Sequence, residues 1–385
     1  MMTYDALIIG GGAAGITAAI VAARKGVSVA ILEKEDRIGK KLLATGNGKC
    51  NLAGSLPLDL QYNTSLVGEV FNRYGLGEIL KFLRSTGLMI KEVEGRFYPY
   101  SELSANVLNS IRAELEKLAV PVFCGVEVTN IIKTSDCFIA RSGKDFKGKN
   151  IILATGSRAG FGTESLHLFA PFNHRITLLN PSLVPFITDT AHIKGLKGVR
   201  LKASVSLVVD GKVLRQVNDE IIFKDNGLSG SAIFALSSAL ARNKQGALTE
   251  VVIDFLPEFS LGELEKELNA RRLAGHGLKG VFHKEIINNL HKRLPEGGGA
   301  KEAAKLLKDY RIKVKGLSSF SLAQVVSGGL DNRDFDFISM ESCLQKGLFA
   351  AGEALDVDGE CGGYNLMWAW ASGMCAAEGA YNNLQ

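Results

Sequence analysis

The chain has 385 residues, 46% of them hydrophobic and 22% charged, with a formal net charge of +5. That composition describes a globular protein with room for roughly two or three cores and excludes a disordered chain. The positive charge is spread along the sequence without a basic block or interleaved aromatic stripe, which argues against a nucleic-acid partner yet suits an anionic cofactor.

The first segment reads as strand, glycine turn, helix, strand and acid. Asp5 to Ile9 is an apolar run, Gly10-Gly11-Gly12-Ala13-Ala14-Gly15 follows, and Ile16 to Arg24 carries helical apolar spacing. Val27 to Leu32 is a second apolar run that ends at Glu33 and Lys34. Gly10 lets the turn close, Gly12 lets backbone approach a pyrophosphate, and Gly15 lets the helix lie close to the sheet. The helix start at Ala13 and Ala14 offers unpaired N–H groups to phosphates. Glu33 stands where a carboxylate accepts from both ribose hydroxyls and repels a 2′-phosphate, so a dinucleotide not of the NADP type is expected.

Arg37 to Asn51 is rich in Gly, Lys and small polar residues and reads as a loop. Lys40, Lys41, Thr45, Gly46, Asn47, Gly48 and Asn51 in such a loop suit a second grip on the cofactor, with a solvated surface loop as the alternative. Cys50 is either a flavin contact or a buried inert thiol. Helical spacing covers Leu66 to Arg84, broken at Gly75-Leu76-Gly77, and Leu103 to Leu118. Leu88 to Val93 and Arg96 to Tyr98 read as short strands, and Pro121 to Ile132 and Cys137 to Arg141 alternate like paired strands. Lys149 to Gly156 reads as a strand buried on both faces. Its end on Ala154-Thr155-Gly156 turns backbone toward the carboxyl edge of the sheet, where open α/β sheets bind ligands.

Composition shifts after Asn180-Pro181. Val184 to Ile187, Gly198 to Val209, Lys212 to Ile222 and Leu248 to Phe255 are strand-like, with a hairpin signal at Asp210-Gly211 and a helix from Leu228 to Arg242. Leu261 to Arg272, Lys284 to Leu294 and Ala300 to Tyr310 are amphipathic helices separated by glycine-rich turns. Strand character returns at Ser319 to Val326. A last strand then ends at Gly352-Glu353, a loop carries Asp356, Asp358 and Glu360, and a helix of small and aromatic residues starts after Gly362-Gly363. Glu353 is placed to bond a ribitol hydroxyl, with a solvated acidic loop and a core helix as the alternative reading of this segment. The helix start at Gly362, Gly363, Tyr364, Asn365 and Leu366 aims N–H groups at the edge of a flavin. The acidic loop lacks the rest of a calcium loop, so no metal is expected.

Six cysteines without a C-x-x-C pair read as reduced thiols of a cytoplasmic protein. No uncharged apolar run reaches the length of a membrane span, and the early first strand leaves no room for a signal peptide, so no membrane association is expected.

The glycine fingerprint, Gly39 to Asn51, Gly95-Arg96-Phe97-Tyr98-Pro99, Gly227-Leu228-Ser229-Gly230, Val326-Ser327-Gly328-Gly329, and Ala351-Gly352-Glu353 through Leu366 carry a resemblance. Over nearly its whole length the chain resembles the bacterial three-domain flavoproteins of the YhiN/BaiN type, which include an aminoacetone oxidase. The resemblance implies FAD as cofactor, with Val128 laying backbone against the adenine. It also implies an α/β fold in which a split, Rossmann-like FAD domain (1–180 and 326–385) surrounds a mainly antiparallel β-rich substrate domain (181–258 and 315–325) and a small helical domain (259–314). Phe223-Lys224-Asp225-Asn226 departs from the Phe-Thr-His usual there, and Ser231 replaces a proline. On this footing the expected reaction is oxidation of a small amine such as aminoacetone, with dioxygen reduced to hydrogen peroxide, and Lys49, Tyr364 and Asn365 are candidates for handling the amine proton. The alternative is an NAD(P)H-dependent flavin reductase of an unsaturated carbonyl compound, with NAD(P)H a transient visitor. A non-catalytic FAD protein is a third reading.

Overall fold

A computed structural model describes residues 2–55, 62–160, 165–243 and 248–385. They group into two compact units, Met1–Asn180 with Val325–Gln385, and Pro181–Gln324.

The first unit is built on a seven-stranded sheet. Thr3–Ile9 pairs in parallel with Val29–Glu33 on one side and Asp145–Leu153 on the other. Val122–Cys124 extends the first side in parallel, and Leu348–Ala350 joins Asp145–Leu153 in parallel. Phe138–Arg141 and Asn130–Lys133 continue antiparallel. The central strands carry unbroken apolar runs because both their faces are covered: Ala6, Leu7, Ile8, Ile151, Ile152 and Leu153 are all fully buried. The helix Ala13–Arg24 packs against the C-terminal helix Gly362–Asn382, so the two ends of the chain share one core. Trp368 and Trp370 are buried in that core, and each indole N–H is satisfied, donating to Gly352 O (3.0 Å) and Leu52 O (3.2 Å).

Three local expectations need correction. The stretch Arg37 to Asn51 is largely helical, with Lys40–Ala44 followed by a 3-10 turn at Thr45–Gly48. Ile38 and Leu42, four residues apart, are buried and pin that turn to the core. Val126 to Thr129 lies outside any strand. Gly125 bends the chain with φ +69°, and the N–H groups of Gly125 and Val126 donate to Glu35 O and Glu33 O, both at 2.9 Å. The strand before Ala154 spans Asp145–Leu153, which leaves Ala154, Thr155 and Gly156 beyond the sheet edge.

The second unit holds a closed antiparallel barrel in the order Phe186–Thr188, Gly227–Ser229, Lys212–Lys224, Arg200–Val209, Thr249–Asp254, Tyr310–Leu317. The expected hairpin turns at Asp210 and Gly211, both with positive φ (49° and 78°), as a two-residue loop between right-twisted strands requires. Tyr310–Leu317 corrects the reading that ran a helix to Tyr310: Tyr310, Ile312 and Val314 point inward and alternate with exposed Arg311, Lys313 and Lys315. The helices Leu261–Leu273, Lys284–Arg293 and Ala300–Lys308 contribute Leu264, Ile286, Leu290 and Leu307 to the same apolar cluster as barrel residues Val251, Ile253 and Ile312. Among the described residues, no helix is long and apolar enough to cross a membrane.

Candidate functional site

The glycine turn joins the first strand to the first helix. Gly10 has φ +108°, and a Cβ there would lie 2.4 Å from Ala154 O, so neighbouring backbone occupies the space a side chain would need. A Cβ at Gly12 would meet no atom within 4 Å. Gly12 is the N-cap of Ala13–Arg24 and no side chain caps this helix, so its first N–H groups are offered outward. Glu33 is buried at the end of the neighbouring strand. Its Oε2 accepts from Gly11 N at 2.6 Å and its Oε1 from Glu35 N at 2.9 Å, so the acid holds the turn. Lys34 follows, half-buried.

A second group gathers three segments distant in sequence. Lys41 Nζ lies 2.9 Å from Glu353 Oε2 and donates to Ser157 O and Oγ, each at 3.2 Å. Ser157 Oγ donates to the same Glu353 oxygen at 2.9 Å. Gly156 sits beside this cluster, 3.8 Å in Cβ terms from both Glu353 and Lys41. Ser157 was missed in the sequence, where only its place directly after Ala154-Thr155-Gly156 could have signalled it. Lys40 turns away, pairing with Glu35 (2.6 Å) and Asp36 (2.7 Å).

The third part is the start of the helix Gly362–Asn382, which also lacks a side-chain cap. A Cβ on Gly363 would fall 2.5 Å from Asn51 Nδ2, so the Asn51 amide lies directly on the helix start. Asn51 Oδ1 and Thr155 Oγ1 are buried without a hydrogen-bond partner among the described residues. Such atoms are costly unless a ligand completes them. Asn365 is fully engaged: its Oδ1 accepts from Gly359 N (3.0 Å) and its Nδ2 donates to Gly359 O and Cys361 O (both 2.9 Å), tying down the loop before the helix. Tyr364 and Leu366 are buried, and Tyr62, a further residue missed in the sequence, donates to Tyr364 O at 2.7 Å.

The remaining candidates make contacts of their own. Lys49 is 60% exposed and paired with Glu102 at 2.9 Å. Thr45 spends its hydroxyl on Leu42 O at 2.6 Å. Cys50 is fully buried, and burial pushes its thiol up to about 11. Val128 is buried just past the Val126 N–H that donates to Glu33 O. Gly48 is half-buried, whereas the side-chain surroundings of Gly46 and Asn47 lie outside the described residues. A glycine turn open at Gly12, a buried acid beside it, the Lys41 ammonium and two orphaned polar atoms fit an extended dinucleotide.

A model of the HI0933-like protein Rossmann domain matches residues 4–379. The chain belongs to this family. Its cofactor is FAD, and the protein is an FAD-dependent oxidoreductase. It is similar to the 3-dehydro-bile acid delta(4,6)-reductase of Clostridium scindens, 32% identical over 400 residues that cover 97% of this chain and 98% of that protein. It is also similar to the ribosomal RNA dihydrouridine synthase of Haemophilus influenzae, 26% identical over 407 residues, 96% of this chain and 97% of the other. Among solved structures, 3-ketosteroid delta1-dehydrogenase from Sterolibacterium denitrificans in complex with 1,4-androstadiene-3,17-dione shares the fold, with a TM-score of 0.52 at 12% identity over 99% of this chain and 100% of that one.

Proposed function

We propose that the protein is an NAD(P)H-dependent reductase of a carbon–carbon double bond conjugated to a ketone. The observation that carries this reading is the similarity to the bile acid reductase over both full lengths. It reverses the order of the two readings drawn from the sequence. Amine oxidation needs a group to take the amine proton. Lys49 is exposed and ion-paired, and Asn365 spends its amide on the loop, which makes Asn365 a positioning residue in this proposal.

Bound FAD supplies two-electron hydride chemistry at its ring system. In this reading the backbone of Gly10 to Gly15 and the start of the first helix would hold the pyrophosphate. Glu33 would accept from the ribose, and Lys41, held by Ser157 and paired with Glu353, would offer a donor along the chain of the cofactor. Asn51, Thr155 and the Gly362-Gly363 helix start would complete the polar rim at the flavin end.

Anaerobic mixing tests the proposal. NADH or NADPH is expected to bleach the visible flavin band, a conjugated enone to restore it, and aminoacetone to leave it unchanged. Bleaching by aminoacetone, followed by hydrogen peroxide on admitting air, would instead establish the oxidase. Ribosomal RNA replaces the enone in a parallel arm, since that substrate class appears in the name of the Haemophilus relative.

A further inference from the structure

The barrel unit contains an open cavity of about 360 Å³ lined by none of the residues of the first unit. One wall is the turn following Asp189 and the other is the end of the strand Lys212–Lys224. Lys194, Lys197, Lys224 and Asp225 supply its charges and Thr190 a hydroxyl. Lys197 is paired with Asp225 at 2.5 Å. Lys194 and Lys224 make no ion pair among the described residues. The lining therefore carries three ammonium groups against one carboxylate, and two of the three ammonium groups are uncompensated.

The walls are preformed. Ala191 N donates to Asp189 Oδ1 at 2.9 Å, Asn289 Nδ2 and Tyr310 OH both donate to His192 O (3.1 and 2.5 Å), and Ile193 and Leu196 are buried beneath the turn. The turn is stitched to the other wall by Gly198 N to Phe223 O (2.9 Å) and Phe223 N to Val199 O (3.0 Å). Positive side chains around a fixed concavity focus the field on an incoming anion, and the preformed walls keep the ordering cost of binding low.

We infer that this cavity binds the phosphomonoester end of a small molecule. Two free ammonium groups match a group that carries nearly two negative charges at neutral pH, and ammonium is a point-charge partner for phosphate. The sources sharing that chemistry are a phosphorylated sugar and the 2′-phosphate of NADPH, the second resting on the proposed reductase function.

Isothermal titration of the FAD-loaded protein with inorganic phosphate tests the site whatever the reaction proves to be. Saturable binding is expected, weakened at least about ten-fold for each lysine removed in Lys194→Ala and Lys224→Ala. Both side chains are exposed, so FAD content and thermal unfolding should stay unchanged. Competition by 2′,5′-ADP together with a raised KM for NADPH alone in the double variant would identify NADPH as the source. Competition by ribose 5-phosphate with unchanged NADPH kinetics would identify a phosphorylated sugar. Absence of saturable phosphate binding, equal binding by the double variant, or a response only to RNA oligonucleotides would each overturn the inference.

Discussion

Glu33 is the residue whose replacement separates two roles, holding the glycine turn and holding the ligand. In Glu33→Gln the side chain keeps its size but only one atom can accept, so either the buried Gly11 N–H or the half-buried Glu35 N–H loses its partner, and the cost is larger at Gly11. An unsatisfied buried donor costs about 1–3 kcal/mol, and losing the charge weakens the surviving bond by about 1 kcal/mol. The first unit should therefore lose roughly 2–4 kcal/mol even without cofactor. Trp368 and Trp370 are the only two tryptophans of the chain, and both lie in the C-terminal helix of that unit. Tryptophan fluorescence during urea unfolding of the apoprotein thus reports on the unit that contains Glu33. If apoprotein stability changed by less than about 0.5 kcal/mol while FAD affinity fell, Glu33 would act on the ligand alone and the structural half of the argument would be wrong.

Three further outcomes are expected. In Gly373→Ala the new Cβ would stand 2.5 Å from Ala14 O and 3.1 Å from Thr17 Cβ, so overpacking should cost about 1–3 kcal/mol and weaken FAD binding through the displaced helix start, whereas Gly77→Ala, with open space around it, should cost nothing in the same titrations. Glu102 is held down to about 2 by hydrogen bonds from Lys91 and Lys49, so its contribution is fully present above the ordinary carboxylate value of 4.5 and is lost as pH falls through about 2. Urea midpoints of the wild type and Glu102→Gln should accordingly differ at neutral pH and converge in acid. Burial raises the thiols of Cys50 and Cys375 to about 11 and about 12, so native-state alkylation followed by mass spectrometry should mark exposed Cys124 and Cys343 and spare these two; labelling of Cys50 in folded protein would contradict its placement.

The sequence by itself determined the opening strand, glycine turn, helix and acid, because every signal in that unit is local: the period of the apolar residues, the missing Cβ atoms and the distance to Glu33 all lie within one short stretch. The barrel hairpin at Asp210-Gly211 was legible for the same reason. The helical turn at Lys40–Ala44 was not, since only Ile38 and Leu42 speak for it among glycines and lysines, and their weight comes from the core they enter. Closure of the barrel by Tyr310–Leu317 likewise depends on partners at Phe186–Thr188 and Thr249–Asp254, although the alternation of Tyr310, Ile312 and Val314 was visible. The rest of the candidate site was decided by tertiary structure alone. Lys41 meets Glu353 across 312 residues, and Asn51 comes to rest on Gly363 at the start of the last helix. Contacts of that span leave no trace in spacing or composition, because they arise when the two ends of the chain bury one shared core and carry their polar groups to the same sheet edge.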